Sequence, residues 1–306
     1  MSRLPLFPIL TLVLVLVLAP ALPGIANRTK SALTGRRGSP VLQLYRDLAK
    51  LWRRGVVYSR TTTLLFRLGP VVLLAATLLA ASLLPLDGRT ALLSFPGDLV
   101  AFAGLLALGR FVMVLAAMDT GSSFEGMGAS REVTVASFAE PALFLCFTVL
   151  VLATGRVDLA GMYGGPLAEA WRLAAPSLVL AAASLFIVTL AETCRVPVDD
   201  PLTHLELTMI HEVMVLDHSG PDLALILYAG AVKMALFGVL VAGVLLPRAH
   251  QPPGLAMALL VLGLVLIAVA IGVIESIMAR QRMNRVPQLL VAASALAGFA
   301  LILLLR

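Results

Sequence analysis

Three ionisable side chains sit where lipid would be expected to surround them. Arg110, Glu140 and Lys233 each fall well inside a long apolar run. A charge at the centre of a membrane helix costs about 2.5–3.5 kcal/mol on insertion scales, so it is retained only where a partner or water meets it. Two outcomes satisfy that condition. In one, the three residues simply neutralise one another as buried pairs. In the other they move protons, because desolvation raises a carboxylate's pKa and lowers an amine's until each can change charge near neutral pH. At 1.5 Å per residue, Glu140 lies roughly 10 Å, Arg110 roughly 12 Å and Lys233 roughly 15 Å from the same end of their runs.

The stretch from Glu192 to Asp222 adds a second set of candidates. It holds Glu192, Asp199, Asp200, Glu206, Glu212, Asp217 and Asp222, seven of the seventeen acids in the chain, and Arg195 is its only basic residue apart from histidine. Asp200-Pro201 has the form of an N-cap and first-turn proline. The helix it predicts carries Leu202, Leu205, Met209, Val213 and Leu216 on one side and His204, Thr208, His211 and Glu212 on the other. Histidines at 204, 211 and 218 lack the spacing of common zinc motifs. Docking of a polar face bearing Asp200, His204 and His211 against a partner subunit is the expected role. An acid-rich loop is ordinarily just solvated, but this one adjoins an intramembrane Glu and could admit protons.

Other chemistries are narrowed by what is missing. The two cysteines, Cys146 and Cys194, form no CxxC pair and no disulfide framework, so no metal or iron–sulfur cluster is expected in this chain. All four histidines lie outside the apolar runs, which removes haem ligation between helices. No phosphate loop or dinucleotide fingerprint is present.

The elements that must hold these residues are membrane helices. Hydrophobic residues make up 60% of 306 and charged residues 13%; mean hydropathy is +0.99. Apolar runs at about 4–26, 68–86, 97–118, 133–153, 174–191, 223–246, 254–275 and 287–305 each suit a hydrocarbon core of roughly 30 Å. The expected fold is an all-α polytopic membrane protein of about eight transmembrane helices, one integral domain over 1–306. Residues 4–19 could also be read as a signal peptide, but cleavage would send the following ten-charge loop across the membrane, so a retained helix is expected. Loops after the odd-numbered spans carry fifteen Lys and Arg against six for the other connections and termini. The odd loops are therefore expected in the cytoplasm and both termini on the periplasmic side of an inner membrane. Ten of the fifteen lie in 27–67, where Val41, Leu44, Tyr45, Leu48, Leu51 and Trp52 recur at helical spacing opposite Arg46, Lys50, Arg53 and Arg54. This predicts an amphipathic interfacial helix, either a basic anchor for anionic lipid or a functional element. The net charge of +6 is explained by this topology, and no nucleic-acid partner is expected.

Several of these residues match a known pattern. Glu192-Thr-Cys-Arg195-Val-Pro197-Val-Asp199 resembles the ETNRxPFD signature of subunit 1, the quinone-site subunit of NADH-quinone oxidoreductase, and Glu206-Leu207 falls where that family continues with Glu-Leu. Arg131 and Glu140 correspond to the family's Arg and helix-four Glu. After Asp199 the chain departs from the respiratory pattern, and Gly230 and Lys233 stand where a helix-six Glu is usual. Together with Asp119-Thr-Gly-Ser-Ser through Arg131-Glu132, this is similar to the formate hydrogenlyase subunit 4 and hydrogenase-4 component C branch.

The resemblance implies a membrane-anchoring and coupling subunit of a complex I-like nickel-iron (NiFe) hydrogenase. The NiFe centre and iron–sulfur clusters would belong to partners: hydrogenase large and small subunits and a ferredoxin-like iron–sulfur subunit on the odd loops, with antiporter-like subunits beside it in the bilayer. Glu140, Glu192, Asp199, Glu206, Glu212 and Lys233 would form the proton path, with Arg110, Arg131 and Arg195 as charge partners. The alternatives are a true quinone-site subunit and, from another class, a free-standing proton or cation transporter built on Glu140 and Lys233.

Overall fold

Backbone amides in lipid find partners only within their own segment, so apolar runs of this length must close their hydrogen bonds as helices. The computed structural model describes residues 6–199 and 209–306. Among these are eleven α-helices: α1 Leu6–Leu18, α2 Ala21–Leu33, α3 Gln43–Leu51, α4 Leu64–Leu83, α5 Asp98–Asp119, α6 Ser123–Thr154, α7 Leu159–Met162, α8 Gly165–Glu192, α9 Gly220–Leu245, α10 Pro253–Ile277 and α11 Val286–Leu304. Seven are long and apolar enough to cross a membrane, and α1 and α2 together make an eighth if taken as one bent span. The chain is thus an all-α, multi-pass membrane protein.

Three departures from the predicted runs have local causes. The first run is not one helix: α1 and α2 meet at a 44° bend. Pro23 cannot donate to the carbonyl of Ala19 and its ring crowds that oxygen, and Pro20 does the same to Leu16. The fourth run begins ten residues early, at Ser123. The carboxylate of Glu125 sits in the first turn of this helix, where it complements the N-terminal dipole. Finally, α8 starts at Gly165 but is kinked at Ala174 (φ −135°, ψ 32°), two residues ahead of Pro176, so only its second part matches the predicted span.

Small residues set the helix packing, as expected where no hydrophobic effect drives association. A Cβ on Gly109 would come within 3.0 Å of Leu73, and one on Gly272 within 2.4 Å of the Ala26 carbonyl, so α4–α5 and α2–α10 approach at backbone distance. The α9 helix is the most enclosed of the spans.

Contacts between connections divide the molecule into two ends. At one end, Tyr58 donates to Asp222 (2.9 Å), the Phe66 ring stacks on His218, Thr63 donates to Asp119, and Arg195 reaches Asn27. The connections after the odd-numbered spans therefore share one face. At the other, Arg89 donates to the carbonyls of Ala249 and Gln251, the amide of Leu159 to Asp98, and Trp171 to Val244. This alternation is what a series of consecutive spans requires.

The amphipathic segment after Pro40 forms α3. Leu44 packs on the core and the Tyr45 hydroxyl donates to the Val17 carbonyl, while no residue of the helix is fully buried. The predicted helix from Asp200 falls partly outside the described residues. Residues 209–211 are not helical, and only a short 3-10 turn, Glu212–Val215, follows. Met209 and Val213 are buried as the apolar pattern requires, whereas Leu216 is exposed.

Candidate functional site

The helices α5, α6, α8 and α9 converge near the odd-loop end, and each delivers a charge to the meeting point. Arg110 of α5 donates through Nη1 to Glu140 Oε1 (3.0 Å) and through Nη2 to both oxygens of Glu192 (2.9 Å each). Its Nε lies 3.7 Å from Glu132 Oε1. Lys233 of α9 places Nζ 2.7 Å from Glu192 Oε2. Glu192, the last residue of α8, is thus held between two cations.

Burial differs sharply along this chain of charges. The Glu192 side chain is 4% exposed, whereas that of Glu140, on α6, is 41% exposed. The line Glu140–Arg110–Glu192–Lys233 therefore runs from a helix face open in the isolated chain to the interior. Among the described residues, Glu132, Glu140 and Glu192 face two cations, Arg110 and Lys233. With all five ionised, these described residues carry one excess negative charge.

A second cluster adjoins it. Arg195 Nη1 contacts Glu275 Oε1 (3.4 Å) and Asn27 Oδ1 (3.3 Å), and Lys30 lies 3.8 Å from the other oxygen of Glu275. Asp199 pairs with Arg280 (3.0 Å) and accepts the amides of Ile210 and His211 at 3.0 and 3.3 Å. Arg131 donates to the Met209 carbonyl at 2.8 Å. These contacts tie the start and end of the acidic connection to α6, α2 and α10.

Between the clusters is a cavity of about 220 Å³. Arg110, Glu192, Lys233, Asp199, His211 and Glu212 form its polar wall, and Leu44, Leu73, Leu106 and Met113 contribute to the apolar one. Outside the spans, burial lowers the pKa of His211 and keeps the imidazole neutral, and burial raises the Cys194 thiol well above its ordinary value.

Of the residues singled out in the sequence, Arg110, Glu140, Glu192 and Lys233 come together directly. Asp199, His211 and Glu212 line the same cavity, and Arg195 borders it. Asp200, His204 and Glu206 lie outside the described residues. Glu132 and Glu275 carry no signal of this kind in the sequence. Glu132 just precedes an apolar run and Glu275 ends one, so neither stands out as a charge inside lipid. The metal-free expectation rests on linear motifs, which do not register donors from distant segments.

Comparison with known proteins agrees with this architecture. Residues 7–306 match the family model described as NADH dehydrogenase. The chain is 34% identical to hydrogenase-4 component C of Escherichia coli over 91% of this chain and 89% of that one. It is 30% identical to formate hydrogenlyase subunit 4 of the same organism over 98% of each. NADH-ubiquinone oxidoreductase chain 1 of Triticum aestivum is 27% identical over 67% of this chain and 65% of that one. The fold is also that of a chain in the solved membrane-bound sulfane sulfur reductase, an archaeal respiratory membrane complex, with a TM-score of 0.82, 19% identity and 98% of each chain covered. The chain belongs to the NADH dehydrogenase family, that of the complex I subunit 1 proteins.

Proposed function

We propose that this chain is the membrane-anchoring and coupling subunit of a complex I-like NiFe hydrogenase of the formate hydrogenlyase type. One observation carries the reading: four charges on four helices, Glu140, Arg110, Glu192 and Lys233, form a continuous polar line from a helix face to an internal cavity. Among the described residues this cluster sets three carboxylates against two cations beside a cavity, in spans where a charge is retained only with a partner or water at hand. The similarity to hydrogenase-4 component C and formate hydrogenlyase subunit 4 supports a hydrogenase partner.

In this reading the chain holds no redox cofactor. The NiFe centre and iron–sulfur clusters reside in large, small and ferredoxin-like subunits seated on the odd-loop face, which is cytoplasmic. Asp200 and His204 serve the interface with those subunits, and Glu206 serves the proton path. Asp199 and Glu212 extend the path from the cavity, and Arg131 and Arg195 hold its walls. Antiporter-like subunits adjoin the half-exposed side of Glu140 in an inner membrane.

The test is the whole assembly in proteoliposomes. Glu140→Gln should retain hydrogen evolution and lose most of the coupled proton movement. Unchanged proton movement would remove Glu140 from the path. A second reading, a quinone-site subunit, draws on the apolar wall of the cavity and the 27% identity to the NADH-ubiquinone oxidoreductase relative. Stoichiometric nickel with activity insensitive to quinone-site inhibitors supports the first; bound quinone supports the second.

A further inference from the structure

Three potential metal ligands of different kinds meet beside the cavity. The carboxylate of Glu132, the thiol of Cys194 and the imidazole of His211 place their ligand atoms within 4.8 Å of one another. They come from three separate places: the start of the α6 apolar run, the turn after α8, and the loop ahead of the 3-10 turn. All three border the cavity.

We propose that Glu132, Cys194 and His211 form a three-ligand site for a divalent borderline metal ion, zinc in the first instance, with its fourth position open to the cavity. The donor set argues for that class of ion. Thiolate and imidazole select against magnesium and calcium, which require oxygen cages, and one sulfur, one nitrogen and one oxygen are ordinary zinc ligands. Three protein ligands beside open space is the coordination pattern of zinc sites that keep a water or other exchangeable ligand.

The geometry is close to that of a filled site. Where three atoms lie within 4.8 Å of one another, some point is within about 2.8 Å of all three, against about 2.0–2.3 Å in a zinc site, so closure needs shifts of at most roughly 0.5–0.8 Å. The surroundings favour those positions. Asp199 accepts the His211 backbone amide and fixes that loop. Cys194 has a left-handed backbone (φ 51°), a conformation rare for a residue with a Cβ, which sets the direction of its side chain. The neutral imidazole has a lone pair available, and the thiol gives up its proton when the metal binds. Among the described residues, Glu132 pairs with Arg110 Nε through a long contact, which it can relinquish. Because zinc is redox-inert, the site adds no electron carrier. The inference rests on the three donors alone and stands whether or not the hydrogenase reading does.

Cobalt(II) is the probe, since a thiolate-to-cobalt charge-transfer band reports sulfur ligation directly. The full-length chain, purified in detergent without a polyhistidine tag and stripped with a chelator, should develop that band on titration. The band should saturate near about one equivalent and be displaced by zinc. Cys194→Ser should abolish it, and His211→Ala and Glu132→Gln should each weaken binding at least about tenfold. Cys146→Ser removes the other cysteine in the chain, which is buried away from the site, and should leave the band intact. Absence of the band in the unmodified chain, or its survival in Cys194→Ser, would overturn the proposal.

Discussion

Glu192 is the shared counter-ion of two buried cations, and its removal would take from Lys233 the carboxylate it pairs with among the described residues and leave Arg110 with Glu140 and the longer contact to Glu132. Breaking a buried pair by deleting one partner costs about 3–5 kcal/mol. Glu192→Gln should therefore lower the melting temperature of the purified protein markedly. Glu140 also bonds Arg110, but its side chain is 41% exposed and Arg110 keeps both oxygens of Glu192 without it. Glu140→Gln should melt near the unmodified protein while impairing proton movement, and equal destabilisation by the two variants would contradict the gradient of burial. At this scale the sequence is informative where a charge interrupts an apolar run, as at Arg110, Glu140 and Lys233. It is less so at run edges: Glu132 and Glu275 take part in the ion pairs just as directly, but at those positions a charge is ordinary. His211 shows a different limit. Heptad spacing aligns it with His204 on one helical face, but residues 209–211 are not helical and its ring lines the cavity instead.

Between elements, two contacts carry predictions. His218 stacks on Phe66 with ring centroids 4.0 Å apart, joining the acidic connection to α4. Burial lowers the pKa of this imidazole to about 4 from its ordinary 6.5. The folded state thus binds fewer protons than the unfolded chain between those values, so the stability tied to the neutral ring is complete above about pH 6.5 and lost as the pH falls toward 4. His218→Phe should flatten the decline in melting temperature between about pH 7 and 5; an unchanged slope would show that other groups govern it. The second contact is the approach of α2 to α10 at Gly272, where any Cβ would press on the Ala26 carbonyl. Gly272→Ala should cost about 1–3 kcal/mol, seen as a lower melting temperature. It should also loosen the pairing of Lys30 with Glu275. The span positions are legible from hydropathy alone, because length and apolarity are the bilayer's own requirements. The bend between α1 and α2 and the ten extra residues of α6 are not, since proline pairs and a polar helical turn leave the apolar pattern unbroken or lie outside it.

For the whole molecule, the two-ended arrangement of the connections makes topology testable. Arg306→Cys in a background carrying Cys146→Ser and Cys194→Ser should label with a membrane-impermeant thiol reagent in cells whose outer barrier is opened. Labelling only after lysis would invert the proposed orientation. Glu206→Lys should reduce recovery of peripheral subunits on native gels, whereas full recovery would make the acidic stretch merely solvated. The α6 helix connects these scales. Its 32 residues rise roughly 48 Å, well beyond a hydrocarbon thickness of about 30 Å. The surplus end is bound to the 209–217 connection, through Arg131 to the Met209 carbonyl and through the Asp217 amide to Glu125. A rod so fastened works as a lever: tilting it by about 5° in the bilayer would swing a 15 Å overhang by roughly 1.3 Å, carrying that connection with it. Motion in a docked subunit and reorientation of a span that bears Glu140 would then be two readings of one mechanical coordinate.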